Sequence, residues 1–170
     1  MRFRLLFIFI FAISTQTFAD RKGLTAYIFL AETCPICQSV SIELKKLDAQ
    51  YSQLNVKFVG IFPDNALSNE KTRMAFGKKY QLYFPLDADS GQVLTKKYQA
   101  EITPEVVLVD DKTQTILYRG KIDNSFASLG KRRTVVTEHY LRDAIESWVF
   151  GKKILISKTK AVGCIIQKNP

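Results

Sequence analysis

Tyr27-Ile28-Phe29-Leu30-Ala31-Glu32-Thr33-Cys34-Pro35-Ile36-Cys37 is the stretch on which the reading of this chain turns. Leu24 to Ala31 is a near-continuous apolar run of strand length, as in a central strand buried on both faces. Beyond the cysteines, Ile36, Val40, Leu44 and Leu47 recur at helical spacing, with Glu43, Lys45, Lys46 and Asp48 between them. A helix is therefore predicted from Pro35 to about Tyr51, with proline in the first turn, where its missing N–H costs nothing. Two thiols two residues apart then fall at a strand-to-helix junction. Unpaired amides and the helix dipole favour a thiolate on Cys34. Cys37, one turn on and deeper, is placed to resolve a mixed disulfide formed at Cys34. Pro35 and Ile36 carry no charge, so the helix end should set the thiol's ionisation. The chemistry also expects both sulfurs to be reachable from solvent.

A lone C-x-x-C pair has two competing uses, half of a zinc site and a structural disulfide. Zinc needs a second ligand pair, and only Cys164 and the single histidine, His139, remain to supply one. A disulfide closing a four-residue loop constrains little. The sequence thus points to reversible thiol–disulfide exchange, with no metal and no cofactor expected.

Residues 1–19 read as a secretory signal peptide: Arg2 and Arg4, then an unbroken apolar run from Leu5 to Ile13, then Thr17-Phe18-Ala19 before a cleavage point. The apolar run is about half of what a membrane span needs. A periplasmic or secreted protein is expected, held to a membrane only if that leader is kept. Residues 20–150 then make one domain, and 151–170 a tail that is first basic and later apolar. The 25 Lys and Arg against 16 Asp and Glu give a net charge of +9. In an exported chain this reads as solubility or weak attraction to an anionic envelope, not as nucleic-acid binding. Lys131-Arg132-Arg133 is too short and too poor in aromatics to form a binding groove.

Further strands are expected over Asn55 to Phe62 and Glu105 to Asp110, with a hairpin partner over Gln114 to Arg119. Helices are expected from Ser68 to about Gln81, from Gly91 to Tyr98, and from Thr137 to Gly151, and a short extended piece over Phe84 to Asp87. Asn124 to Val136 shows no period and reads as a loop. Strands alternating with helices imply an α/β fold, a mostly parallel sheet covered on both sides with an antiparallel edge. Thr103-Pro104 stands immediately before the strand at Glu105. A cis bond is far commoner before proline than elsewhere. If cis, Thr103 can pair its backbone with an extended substrate segment.

Thr33-Cys34-Pro35-Ile36-Cys37, Phe84-Pro85-Leu86-Asp87, Thr103-Pro104-Glu105-Val106-Val107-Leu108-Val109-Asp110 and Tyr118-Arg119-Gly120-Lys121-Ile122-Asp123 together resemble the thioredoxin-like superfamily. Within it, the chain is similar to the redoxin branch, which holds the alkyl-hydroperoxide-reductase/thiol-specific-antioxidant proteins and periplasmic thiol–disulfide oxidoreductases. With the ending Ala161-Val162-Gly163-Cys164, these segments resemble a bacterial subgroup of redoxin-domain proteins. The resemblance implies a thioredoxin-like fold with a strand–helix insert, Cys34 and Cys37 as the redox pair, and Thr103 and cis Pro104 facing it as a substrate groove. It also implies protein or small-molecule thiols and disulfides as substrates, and an electron donor or acceptor outside the chain.

Two departures narrow it. Peroxiredoxins carry Thr or Ser three residues before the reactive cysteine and Pro seven before; here those positions are Ala31 and Tyr27. Thioredoxin has a buried aspartate six residues before its first cysteine, where this chain has Ile28. Glu32 is the nearest carboxylate for proton transfer with Cys37, or else a solvated acid at a strand end. Cys164 is either a relay or resolving thiol on a tail that folds back, or a small buried thiol packed beside Ile165 and Ile166. His139 opens the last helix, as a cap-region residue or a proton or metal ligand. Arg119 is expected beside Asp123, near the site, or on the hairpin surface. A thiol peroxidase and a copper-binding thioredoxin-fold chaperone using two cysteines and a histidine are the rival functions.

Overall fold

Apolar residues alternate along β1 (Leu24–Phe29) and β5 (Glu105–Asp110), so each strand feeds two cores at once. Leu24, Ala26, Ile28, Val106 and Leu108 face one core, while Phe29, Val107 and Val109 face the other. The computed structural model describes residues 23–63 and 68–168; the leader expected at 1–19 lies outside them. Both strands sit at the centre of a five-stranded sheet of order β3-β2-β1-β5-β6. Here β2 is Val56–Phe62, β3 is Leu86–Ala88 and β6 is Ile116–Gly120. The first three strands are parallel, β5 runs antiparallel to β1, and β6 runs antiparallel to β5. This is the mixed α/β, thioredoxin-like arrangement that the resemblance implied; the order of elements suggested an antiparallel edge, and the antiparallel strand β5 lies inside the sheet instead.

Helix α1 (Pro35–Tyr51) buries Ile36, Cys37, Val40, Leu44, Leu47 and Tyr51 against the first core. The same core takes Phe76 from α2 (Glu70–Tyr80) and Leu141, Ala144 and Ile145 from α4 (Tyr140–Val149). The other face of the sheet is covered by α3 (Val93–Tyr98) through Tyr98, and by Ile166 from the carboxy-terminal segment. No helix among the described residues is long and apolar enough to cross a membrane.

Several expected boundaries shift for local reasons. The helix expected at Gly91 begins at Val93, because Gly91 and Gln92 take left-handed backbone angles. The Asp89 carboxylate caps it instead, accepting from the amides of Leu94 and Thr95 at 2.9 and 2.7 Å. The last helix begins at Tyr140, not Thr137, since the Thr137 amide donates to the Asn124 side chain at 3.0 Å. The expected loop 124–136 holds a small hairpin, β7 (Phe126–Ser128) with β8 (Lys131–Arg132), turned at Gly130, whose φ is +72°. Strands of two or three residues are too short to show a period.

The tail runs back over the domain. Residues 157–159 run along β6, with the Arg119 amide donating to Ser157 O at 3.0 Å and the Thr159 amide to Arg119 O at 2.9 Å. Thr159 Oγ1 also meets the hydroxyl of buried Tyr118 at 2.7 Å. Further on, β9 (Cys164–Ile165) pairs antiparallel with β4 (Ile102–Thr103).

Candidate functional site

Three cysteines meet where α1, β4 and β9 converge. Cys34 is the N-cap of α1, and the Gln38 amide donates to its carbonyl at 3.1 Å. Cys37 is held one turn deeper, where the Ala31 amide donates to its sulfur at 3.4 Å. Cys164 arrives from the tail, its Sγ 2.8 Å from Cys34 Sγ. All three are free thiols.

The charge distribution among them is uneven. Cys34 is drawn down to about 5, first by a hydrogen bond from the Cys37 thiol, against the opposing effect of burial, then by one from Cys164 and by the amides of Cys37 and Ile36. Cys37 is pushed well above the usual thiol range by burial and by the negative sulfur beside it. Cys164 is pushed up to about 11, by burial first and then by Cys34. Thus Cys34 holds the charge and its neighbours hold protons directed at it. The sequence reading assigned this role to the helix end; the amides contribute, but the thiols beside Cys34 outweigh them because they donate directly to its sulfur.

The Thr103–Pro104 bond is cis, and the carbonyl of Thr103 lies 3.3 Å from Cys34 Sγ, where it accepts from the thiol form. Thr103 does pair with an extended segment, and that segment is the chain's own: Cys164 stands opposite Thr103 and Ile165 opposite Ile102. Contrary to the expected access, neither sulfur is open to solvent: Cys37 is 0% exposed and Cys34 1%. The returning tail covers Cys34, and nothing local to the C-x-x-C motif foretells that.

Glu32 lies nearby with its carboxylate engaged elsewhere. Its Oε1 accepts from Ser68 Oγ at 2.7 Å and from Thr72 Oγ1 at 2.8 Å, tying the loop before α1 to the start of α2. It lines a cavity of about 200 Å³ together with Thr33, Pro63, Thr103, Cys164 and Gln167. His139 is the N-cap of α4, its Nδ1 3.9 Å from Glu43, which also pairs with Arg142. Arg119 does not pair with Asp123. It meets Glu105 at 3.1 Å and the carbonyls of Tyr98 and Gln99 at 2.9 and 3.1 Å, since β6 aims it across β5 to the end of α3. No group of three or more His, Cys, Asp or Glu among the described residues is arranged to hold a metal ion.

Gly163 is a site residue that the sequence reading named only as part of a shared ending. A Cβ there would stand 2.0 Å from the carbonyl oxygen of Thr103 and 3.0 Å from Pro104 Cδ. Its position directly before the third cysteine was the available signal, and only the pairing of β9 with β4 gives that signal meaning.

The Redoxin family model matches residues 12–131, a span that includes Cys34, Cys37, Thr103 and Pro104 and stops short of Cys164. No curated protein matches the chain. Among solved structures, an uncharacterized conserved protein from Geobacillus kaustophilus is similar at 25% identity and a TM-score of 0.77, covering 89% of this chain and 82% of its own. StoA from Bacillus subtilis is similar at 24% identity and a TM-score of 0.51, over 59% of this chain and 74% of its own. A secreted Mycobacterium tuberculosis disulfide oxidoreductase homologous to E. coli DsbE is similar at 20% identity and a TM-score of 0.53, over 76% and 84%. The family model matches well over half of the chain, so this chain belongs to the Redoxin family, and the solved structures share its fold.

Proposed function

We propose that the protein is an exported thiol–disulfide oxidoreductase in which Cys34 is the nucleophile and Cys37 the resolving thiol. The observation that carries this reading is the charge arrangement at the helix end. Cys34 caps the amino end of α1, where its thiol is drawn down to about 5, while Cys37, one turn deeper, is pushed well above the usual thiol range by burial and by Cys34. A thiolate is the attacking species in exchange, and a protonated neighbour within reach keeps the oxidised and reduced forms one step apart.

The Cys34 thiolate attacks one sulfur of a substrate disulfide, and the other substrate sulfur leaves as a thiolate and takes up a proton. Cys37 then loses its proton and attacks the Cys34 sulfur. The mixed disulfide breaks, the second substrate thiol departs, and Cys34–Cys37 becomes the disulfide. Two electrons pass from the protein to the substrate, and an external thiol returns them. Thr103 and Pro104 form the wall on which an extended substrate segment pairs. Because the tail lies on that wall, an external substrate engages after the tail lifts, which is the kind of local opening available to a segment with little regular structure. Export rests on the leader-like residues 1–19, with the secreted neighbour as supporting likeness.

The test is direct. Reduced protein is mixed with glutathione disulfide, acid-quenched, alkylated and mapped by mass. A Cys34–Cys37 disulfide with release of glutathione is expected in the native chain and is lost in Cys34→Ser. Absence of that disulfide in both the native chain and Cys164→Ala overturns the reading.

A further inference from the structure

We infer that Cys164 is a third redox thiol, which takes the disulfide from the buried Cys34–Cys37 pair by internal exchange and presents it at the molecular surface. The inference rests on the reading above, because that exchange supplies the oxidised pair. Its own support is the way the tail is built around one sulfur.

Four independent features set Cys164 in place. Residues 157–159 are stitched to β6, so the tail approaches the site along a defined path. Ile166, 6% exposed, is packed into the second core, and its amide donates to Glu101 O at 2.9 Å. Between these anchors β9 pairs with β4, facing Cys164 to Thr103. Finally, Gly163 lets the backbone pass against Thr103 and Pro104, where any side chain would collide. A merely buried thiol would need none of this convergence, and it would not end 2.8 Å from the charged sulfur.

Access argues in the same direction. Cys34 and Cys37 are buried, whereas Cys164 is half-buried and borders the cavity of about 200 Å³ beside Glu32 and Pro63. Neither Cys34 nor Cys37 lines that cavity. While the tail is docked, a small external thiol therefore meets Cys164 first.

The step balances without an added oxidant. The Cys164 thiol loses its proton and its sulfur attacks Cys34 of the Cys34–Cys37 disulfide. The Cys34–Cys164 bond forms as the Cys34–Cys37 bond breaks, and Cys37 leaves as a thiolate and takes up a proton. No electrons enter or leave. Two of the three causes that hold the Cys164 proton, the hydrogen bond to Cys34 and its negative charge, vanish once Cys34 is in a disulfide. The attacking thiol is thus released by the oxidation that makes its target. An external thiol loses its proton and attacks Cys164 in the new disulfide, so that Cys34 leaves as thiolate; a second external thiol then attacks the outer sulfur of that mixed disulfide, freeing Cys164 as a thiol and carrying the oxidation out as a disulfide.

The full chain carrying Cys37→Ser is oxidised with glutathione disulfide, quenched and mapped. A Cys34–Cys164 disulfide is expected to replace the glutathione adduct on Cys34. Gly163→Ala in that background should shift the ratio back toward the adduct by about tenfold, the scale of an overpacked contact. A stable glutathione adduct on Cys34 with Cys164 still free overturns the internal exchange; if Cys34–Cys37 still forms in the native chain, the proposed function stands. If Cys34 takes up no glutathione and forms no disulfide in either protein, both fall. For the route to the surface, oxidised Cys164→Ala is treated with reduced glutathione. Slower reduction of Cys34–Cys37 than in the native chain is expected; an equal or faster rate removes the relay.

Discussion

Cys37 and Cys164 both lower the Cys34 thiol's pKa, yet they belong to regions built in opposite ways. Cys37 belongs to a 17-residue helix whose inner face is buried along its length. Cys164 belongs to a two-residue strand in a segment with no helix, held by a few backbone pairs and one buried isoleucine. Helix α1 can shift only with the whole core, because close-packed interiors do not deform piecemeal. The tail can leave at the cost of its own contacts. One protein thereby offers Cys34 a fixed partner and a detachable one.

Breaking the rigid side should have the largest effect on stability. Leu108→Ala, at a fully buried position under α1, should cost about 2–5 kcal/mol. The urea midpoint reads it, and a loss under about 1 kcal/mol would mean that this core is not closely packed. On the detachable side, Ile166→Ala should cost less globally, because the tail can peel away while the sheet stays folded. Its signature is instead faster alkylation of Cys34 in the reduced protein, with the urea midpoint moved far less than by Leu108→Ala. Equal shifts in the two variants would show the tail to be as integral as the core.

Ionisation sharpens the comparison. Thiolate absorbance should rise in one step near pH 5 for Cys34, with Cys164 appearing only near 11 and Cys37 above the usual thiol range. The Cys34 value is depressed on folding, so its contribution to stability is complete above the unfolded thiol value of about 8.5 and is lost as pH falls through 5. For Cys37 and Cys164 the sign reverses: their contribution is present below the unfolded value and lost as pH rises through the folded one. Cys37→Ala should move the Cys34 step upward, because the Cys37 thiol is the largest influence lowering it. The smallest effect is expected at Ile165, 75% exposed beside Cys164, where Ile165→Ala should change stability by no more than about 0.5 kcal/mol and leave Cys34 alkylation unchanged.

Local signals carried the sheet and the redox pair into view. The apolar run to Ala31, the helical spacing from Ile36 to Leu47, and the strand after Pro104 each report on burial within one element. They placed β1, α1 and β5 to within a residue or two. The weak points were where a side chain elsewhere sets a boundary, as Asn124 does for Thr137, or where strands are too short for a period, as in β7 and β8. Arg119 shows the same limit, since its partner Glu105 lies on a neighbouring strand and no spacing rule links them.

The sequence alone was enough for an α/β domain with two cysteines at the head of a helix, because hydrophobic period and proline position act over one or two turns of chain. Tertiary structure alone decided that Cys164, 130 residues from Cys34, closes the site and that Cys34 is covered. That outcome depends on Ile166 finding the far core and on Gly163 allowing the backbone past Thr103, contacts between distant parts of the chain that no local pattern encodes.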